Sequence, residues 1–139
     1  MAGYVEPSED ELRAIYADTA TIAVVGASAN PAKPAHTIPA YLREVGFRIV
    51  PVNPAAEEVL GVTAYPRLEE VPVPVDVVEV FRPAVEAPEI ARSAVAIRAK
   101  VLWLQEGIVS EEAAAIARAG GLRVVMDRCM GVTHRALFG

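Results

Sequence analysis

Thr21-Ile22-Ala23-Val24-Val25-Gly26-Ala27-Ser28-Ala29-Asn30-Pro31-Ala32-Lys33-Pro34 sets the architecture of this chain. An uncharged, β-branched run enters a Gly-Ala-Ser turn, a loop with one lysine follows, and helical spacing takes over from about Pro34. Such a run reads as a strand buried on both faces. A strand passing through small residues into a helix is where α/β proteins hold phosphates. The ligand approaches the backbone closely there, and the helix start offers unpaired N–H groups and the positive end of its dipole. Gly26, Ala27, Ser28, Asn30, Lys33, Pro34 and His36 are therefore the first candidate residues for a nucleotide-type cofactor.

The flanking segments repeat the pattern. Ser8 with Glu11 three residues later is a capping-box signal for a helix carrying Leu12, Ile15 and Tyr16 on one face. The helix after the loop is expected to place Ile38, Tyr41, Leu42 and Val45 inward and to stop at Gly46. Further strands are expected at 47–52, 75–81, 100–105 and 122–127, with helices near 84–99 and 110–119 and a final helical turn or two over 132–138. Residues 61–65 read as a short extended piece, and Val71-Pro72-Val73-Pro74 as a stiff connection. This alternation calls for one α/β domain over 1–139, with 1–20 forming a helix packed on it. Its centre is a five-stranded parallel sheet with helices on both faces. The expected strand order is 3-2-1-4-5, and ligands of such sheets bind at the carboxyl ends beside the switch point.

Those ends carry Gly26-Ala27-Ser28, Val52-Asn53-Pro54, Phe81-Arg82-Pro83, Gln105-Glu106-Gly107 and Asp127-Arg128-Cys129. All are polar or special in backbone, whereas the strand bodies are apolar. The dinucleotide fingerprint G-x-G-x-x-G closes its second strand with an acid. Here only Gly26 takes a glycine position; Ser28 and Pro31 take the other two, and Asn53 takes the acid's. That weakens the case for NAD. Lys33 and Arg82 suit phosphates, Arg through a bidentate grip. His36, in the first helical turn, borders the same region and would make affinity pH-dependent.

Hydrophobic residues make up 53% of the chain, as a doubly covered sheet requires. No apolar run reaches the roughly 18–20 residues of a membrane span. The opening Met1-Ala2-Gly3-Tyr4-Val5-Glu6-Pro7 lacks the basic start and apolar core of a signal peptide, so the expected location is the cytoplasm. Thirteen Lys+Arg against eighteen Asp+Glu give a charge of −5, without the basic cluster that nucleic acid demands. Cys129 is the only cysteine, which excludes an internal disulfide and argues against a cysteine zinc site. Asn30, Asn53 and Gln105 are the only side-chain amides beside 11 prolines, a composition that fits a thermophile or a GC-rich genome equally.

Taken together, Val24-Val25-Gly26-Ala27-Ser28 through Lys33-Pro34, Pro51-Val52-Asn53-Pro54, 76–82, 101–108 and Val125-Met126-Asp127-Arg128-Cys129 resemble the small stand-alone CoA-binding domain proteins. They are similar to the Rossmann-like CoA-binding domain at the N-terminus of the succinyl-CoA synthetase alpha subunit and of ADP-forming acyl-CoA synthetases. The resemblance implies that the loop from Gly26 to Lys33 lies against the phosphates of coenzyme A or an acyl-CoA. It also implies that Val52-Asn53-Pro54 and Phe81-Arg82-Pro83 flank adenosine and pyrophosphate, and that Gln105-Glu106-Gly107 lies nearer the pantetheine path. The synthetases carry their catalytic histidine and nucleotide-grasp machinery in further domains, and neither His36 nor His134 matches those motifs. The expected role is binding without catalysis, with a second copy or a partner enzyme subunit as protein partner.

Plainer readings stand beside these. Arg82 also suits a surface ion pair with a helix acid, Asn53 a turn before proline, and Trp103 the core. Cys129 reads as a small buried residue rather than a nucleophile. Asp127 and Arg128 suit an internal ion pair, and Glu69-Glu70 and Glu111-Glu112 solvated faces. The rival functions are an NAD(P)-dependent oxidoreductase domain and a non-catalytic interaction or regulatory domain.

Overall fold

A computed structural model describes residues 3–139. In chain order its elements are α1 (Glu9–Ala17), β1 (Thr21–Val25), α2 (Pro34–Glu44), β2 (Arg48–Val52), β3 (Glu58–Val59), β4 (Val62–Thr63), β5 (Val77–Val80), α3 (Ala87–Ala96), β6 (Val101–Leu104), α4 (Glu111–Ala119), β7 (Arg123–Val125) and α5 (Met130–Phe138). Short 3₁₀ turns at Leu68–Glu70 and Ala84–Glu86 precede β5 and α3. α1 starts with the expected capping box, Ser8 and Glu11 each accepting the other's backbone N–H. Val45 falls just past α2 and is exposed, unlike its expected inward neighbours.

The five long strands form one parallel sheet, and β3 and β4 pair as a small antiparallel hairpin beside it. Side chains alternate between its faces with period two. Ala23, Val78, Val80, Leu102, Leu104 and Val124 meet α3 and α4, which bury only alanines: Ala87, Ala91 and Ala94, then Ala113, Ala114 and Ala117. Small residues let these two helices lie close together. At Gly120 an added Cβ would stand 2.5 Å from Val95 Cγ2, so the contact admits no larger residue. On the opposite face Ile22, Val24, Val77, Val101, Trp103 and Val125 meet α1, α2 and α5.

The strand order is β2-β1-β5-β6-β7. Numbered along the sheet strands alone that is 2-1-3-4-5, not the expected 3-2-1-4-5. β5 pairs with β1 and β6, and β2 forms the edge. Pro51 explains the placement. Its carbonyl accepts the N–H of Tyr65 on the side away from β1. In an extended strand the missing proline N–H lies on that same outer side, where no long strand is left short of a bond. The switch point thus falls between β1 and β5, which brings Phe81-Arg82-Pro83 next to Gly26 and moves Gln105 one strand further away.

Candidate functional site

At the switch point the carboxyl ends of β1, β2 and β5 open into a cleft of about 520 Å³. Its floor is Val25, Gly26 and Val52; one wall is Asn53-Pro54-Ala55 and the other is Arg82, Glu86 and Ile90 from the start of α3. Gly26 has φ +89°, and an added Cβ would lie 2.8 Å from Arg82 Cδ and 3.1 Å from the Phe81 carbonyl oxygen. The glycine is thus required by backbone conformation and by the close approach of Arg82, before any ligand is considered. Arg82 donates from Nε and Nη2 to both carboxylate oxygens of Glu86 at 3.1 and 2.7 Å, which raises its own pKa and lowers that of Glu86. It is at once the ion pair and the cleft residue of the two sequence readings.

The loop from Gly26 to Lys33 is braced by its own side chains. Ser28 Oγ accepts from Asn30 N–H, Asn30 Oδ1 from Ala32 N–H, and Ser28 N–H donates to the Ala35 carbonyl. His36 Nδ1 lies 2.7 Å from the Ser28 carbonyl oxygen, so this histidine orders the loop. Ala27 is buried beneath it. Asn53 ties the loop to β2: its amide donates to the Ala27 carbonyl at 2.8 Å, and its Oδ1 accepts from Ala55 N–H. Lys33 is the exposed N-cap residue of α2 and Pro34 its first residue. Among the described residues the N–H groups of Ala27, Ala29 and Ala35 make no hydrogen bond, so the loop keeps backbone donors in hand.

The structure therefore brings Gly26, Val52, Asn53 and Arg82 into one cleft, with Ala27, Ser28, Asn30, Lys33, Pro34 and His36 on the adjoining loop. Phe81 contributes its carbonyl, while its ring packs with the residues of the α1–α2–α5 side. Pro83 begins the turn into α3, its carbonyl accepting from Glu86 N–H. Gln105 and Gly107 do not join them. Gln105 is buried, with Oε1 accepting from Met130 N–H at 2.8 Å, and Gly107 N–H donates to Asp127 Oδ1 at 2.7 Å. Asp127 and Arg128 do not pair with each other; Arg128 forms its salt bridge with Glu6. Cys129 is half-buried and N-caps α5.

This geometry matches known proteins along nearly the whole chain. The CoA binding domain family covers residues 20–135. The chain belongs to that family. Among its relatives is an uncharacterized protein, YneT, of Bacillus subtilis, 38% identical over 92% of this chain and 95% of that one. The alpha subunit of an ADP-forming acetate–CoA ligase II of Pyrococcus furiosus is 33% identical over 84% of this chain, which spans only 28% of that subunit. A solved structure from Thermus thermophilus superposes with a TM-score of 0.90 at 41% identity, over 95% of this chain and all of that one.

Two features of this CoA binding domain lie outside the residues that the sequence singled out. The first is the outer wall of the cleft, the turn Pro66-Arg67-Leu68-Glu69. Tyr65 is bridged in parallel to Val52, so a segment thirteen positions away along the chain is laid beside Asn53. Glu69 is exposed, as expected of a solvated acid, and it also lines this wall and accepts from Ser93 Oγ at 2.6 Å. Only the pairing of two distant segments creates this wall, and local periodicity carries no trace of it.

The second is Glu79, wholly buried in β5 between Val24 and Trp103. Neither of its carboxyl oxygens has a hydrogen-bond partner, and burial pushes its pKa up to about 8. The side chain is therefore protonated and neutral at neutral pH. Its signal was visible as a lone charge inside the apolar run Val77-Val78-Glu79-Val80. On the same side of the sheet Tyr16 donates its hydroxyl to the Met130 carbonyl at 2.6 Å, and burial followed by the nearby Glu79 raises its pKa. No helix among the described residues is long and apolar enough to cross a membrane.

Proposed function

We propose that this chain binds coenzyme A or an acyl-CoA, with its nucleotide in the cleft between the carboxyl ends of β1 and β5, and without catalysis of its own. The observation that carries the reading is the coincidence of family and site. In this CoA binding domain a cleft opens at the switch point, where the small-residue loop that follows β1 meets an arginine. The residues fit such a ligand. Gly26 leaves the backbone bare at the cleft floor, where even a Cβ would collide with Arg82. Unpaired N–H groups of the loop, the N-terminal end of α2, Lys33 and Arg82 offset phosphate charge. Val25, Val52, Leu68 and Ile90 give the adenosine an apolar bed. Gln105 and Gly107 are left outside the nucleotide site because their polar groups are engaged with α5 and Asp127. The ligase relative is a subunit by name, and a partner subunit for this chain is the corresponding reading.

The test is isothermal titration of ligand-free protein with CoA, acetyl-CoA, NAD, NADP and ATP in parallel. Micromolar or tighter binding confined to the CoA species is the expected result. Binding of NAD or NADP instead would favour the oxidoreductase reading. No binding at all would favour an interaction domain.

A further inference from the structure

Two guanidinium groups border the cleft, and their surroundings differ. Arg82 is engaged by Glu86 through two hydrogen bonds. The acids of the cleft are engaged as well: Glu86 by Arg82, Glu69 by Ser93 and Glu89 by Arg92. Arg67 is held only loosely. It forms an exposed i,i+3 salt bridge with Glu70, which is outside the cleft lining, at 3.7 Å from Nη2 and longer than a hydrogen bond. Among the described residues its guanidinium makes no hydrogen bond, and its side chain is 70% exposed. The backbone that carries it is nonetheless held on both sides. Tyr65 donates to the Pro51 carbonyl and accepts from Asn53 N–H, and Leu68 is buried in the core. A donor-rich side chain is thus carried on an anchored backbone at the lining of the cleft, in the segment laid beside Asn53.

We infer that Arg67 is a specificity residue that recognises the ribose 3′-phosphate, the group that separates CoA from otherwise similar adenine nucleotides. The inference rests on the CoA reading above. A phosphomonoester presents a charge near −2 and three acceptor oxygens, which a planar guanidinium grips through two parallel bonds. A hydroxyl in its place offers no charge and leaves the fork to water. Arg82, beside the loop, is left to the pyrophosphate, a group that both kinds of ligand share.

Titration of the intact protein and of Arg67→Ala and Arg67→Lys with CoA and with dephospho-CoA tests the assignment. The unsubstituted protein is expected to prefer CoA by about tenfold or more. Arg67→Ala is expected to bring the two affinities within about twofold by weakening CoA alone, and Arg67→Lys to fall between. Arg82→Ala should weaken both ligands to the same extent. A preference for CoA that survives Arg67→Ala, or an unsubstituted protein that binds both ligands equally, overturns the assignment while leaving CoA binding intact. Failure to bind either ligand overturns the CoA reading itself and the assignment with it. Because Arg67 is exposed, matching thermal melts of the three proteins serve as the folding control.

Discussion

At the carboxyl ends of β6 and β7, Gln105 holds the N–H of Met130, Asp127 that of Gly107, and Glu6 the guanidinium of Arg128, while Trp103 Nε1 donates to the Arg128 carbonyl. At the ends of β1, β2 and β5, in the same sheet, side chains are engaged too, but among the described residues the backbone N–H groups of Ala27, Ala29 and Ala35 and the ammonium of Lys33 make no hydrogen bond, and the guanidinium of Arg67 has only a loose ion pair with Glu70. Both halves looked alike in sequence, each strand ending in polar or glycine-containing residues. The difference teaches that polar residues at strand ends have two uses. One closes the fold over itself, and the other leaves donors beside a cavity. Only the partners of each polar atom tell them apart.

The largest effect should arise at Glu79, on the strand between the halves. The native state keeps this proton up to about pH 8, whereas the unfolded chain releases it near its ordinary value of about 4.3. Between those values the native state binds more protons, so stability falls as pH rises, by up to about 1.4 kcal/mol per pH unit. Below the interval both states are protonated, and above about pH 8 the loss levels off. Denaturant unfolding at pH 5 to 8 is expected to show the unsubstituted protein losing stability relative to Glu79→Gln as pH rises. Parallel stability curves for the two proteins would mean that Glu79 is ionised in the fold.

Next in size is Gln105→Leu, which leaves the buried N–H of Met130 without its acceptor. A loss of about 1–3 kcal/mol in stability is expected, with CoA affinity unchanged. A drop in affinity without a drop in stability would move Gln105 into the binding site. Arg82→Ala should do the reverse. Its ion pair with Glu86 is exposed and contributes at most about 1 kcal/mol to stability, whereas CoA affinity should fall about tenfold, or about 1.4 kcal/mol. Gly26 is a poor probe for this purpose, because any side chain there displaces Arg82 and strains the backbone whether or not phosphates bind. The smallest effect is expected for Lys33→Ala, a loss of CoA affinity of about two- to fivefold that shrinks further in high salt, as screening of an exposed charge requires. Equal losses at low and high salt would show that Lys33 acts through the loop's conformation.

Much of this was legible in the chain. The apolar runs place all five long strands, the capping box starts α1, and the small residues from Gly26 to Ser28 mark the switch-point loop, because each signal is local. Strand order was not local, and the expected 3-2-1-4-5 failed on it, although Pro51 carried the decisive hint. A proline in the middle of the second strand belongs on a sheet edge. The direction in which Gln105 turns was not legible for a related reason. The residue that ends a strand turns either toward the cleft or toward the next helix, and here it turns to Met130 N–H. Arg67 and Glu69 had no local signal, since the bridge between Tyr65 and Val52 alone carries them to the cleft.

The most direct test of the central claim is a ¹⁵N–¹H correlation spectrum recorded through a CoA titration. The largest shifts are expected in residues 26–36, 53–55 and 67–69 and around Arg82, with Gln105 and residues 127–130 nearly still. Largest shifts at Gln105, Gly107 and Asp127 to Met130, with the β1–β5 cleft unmoved, would contradict the claim.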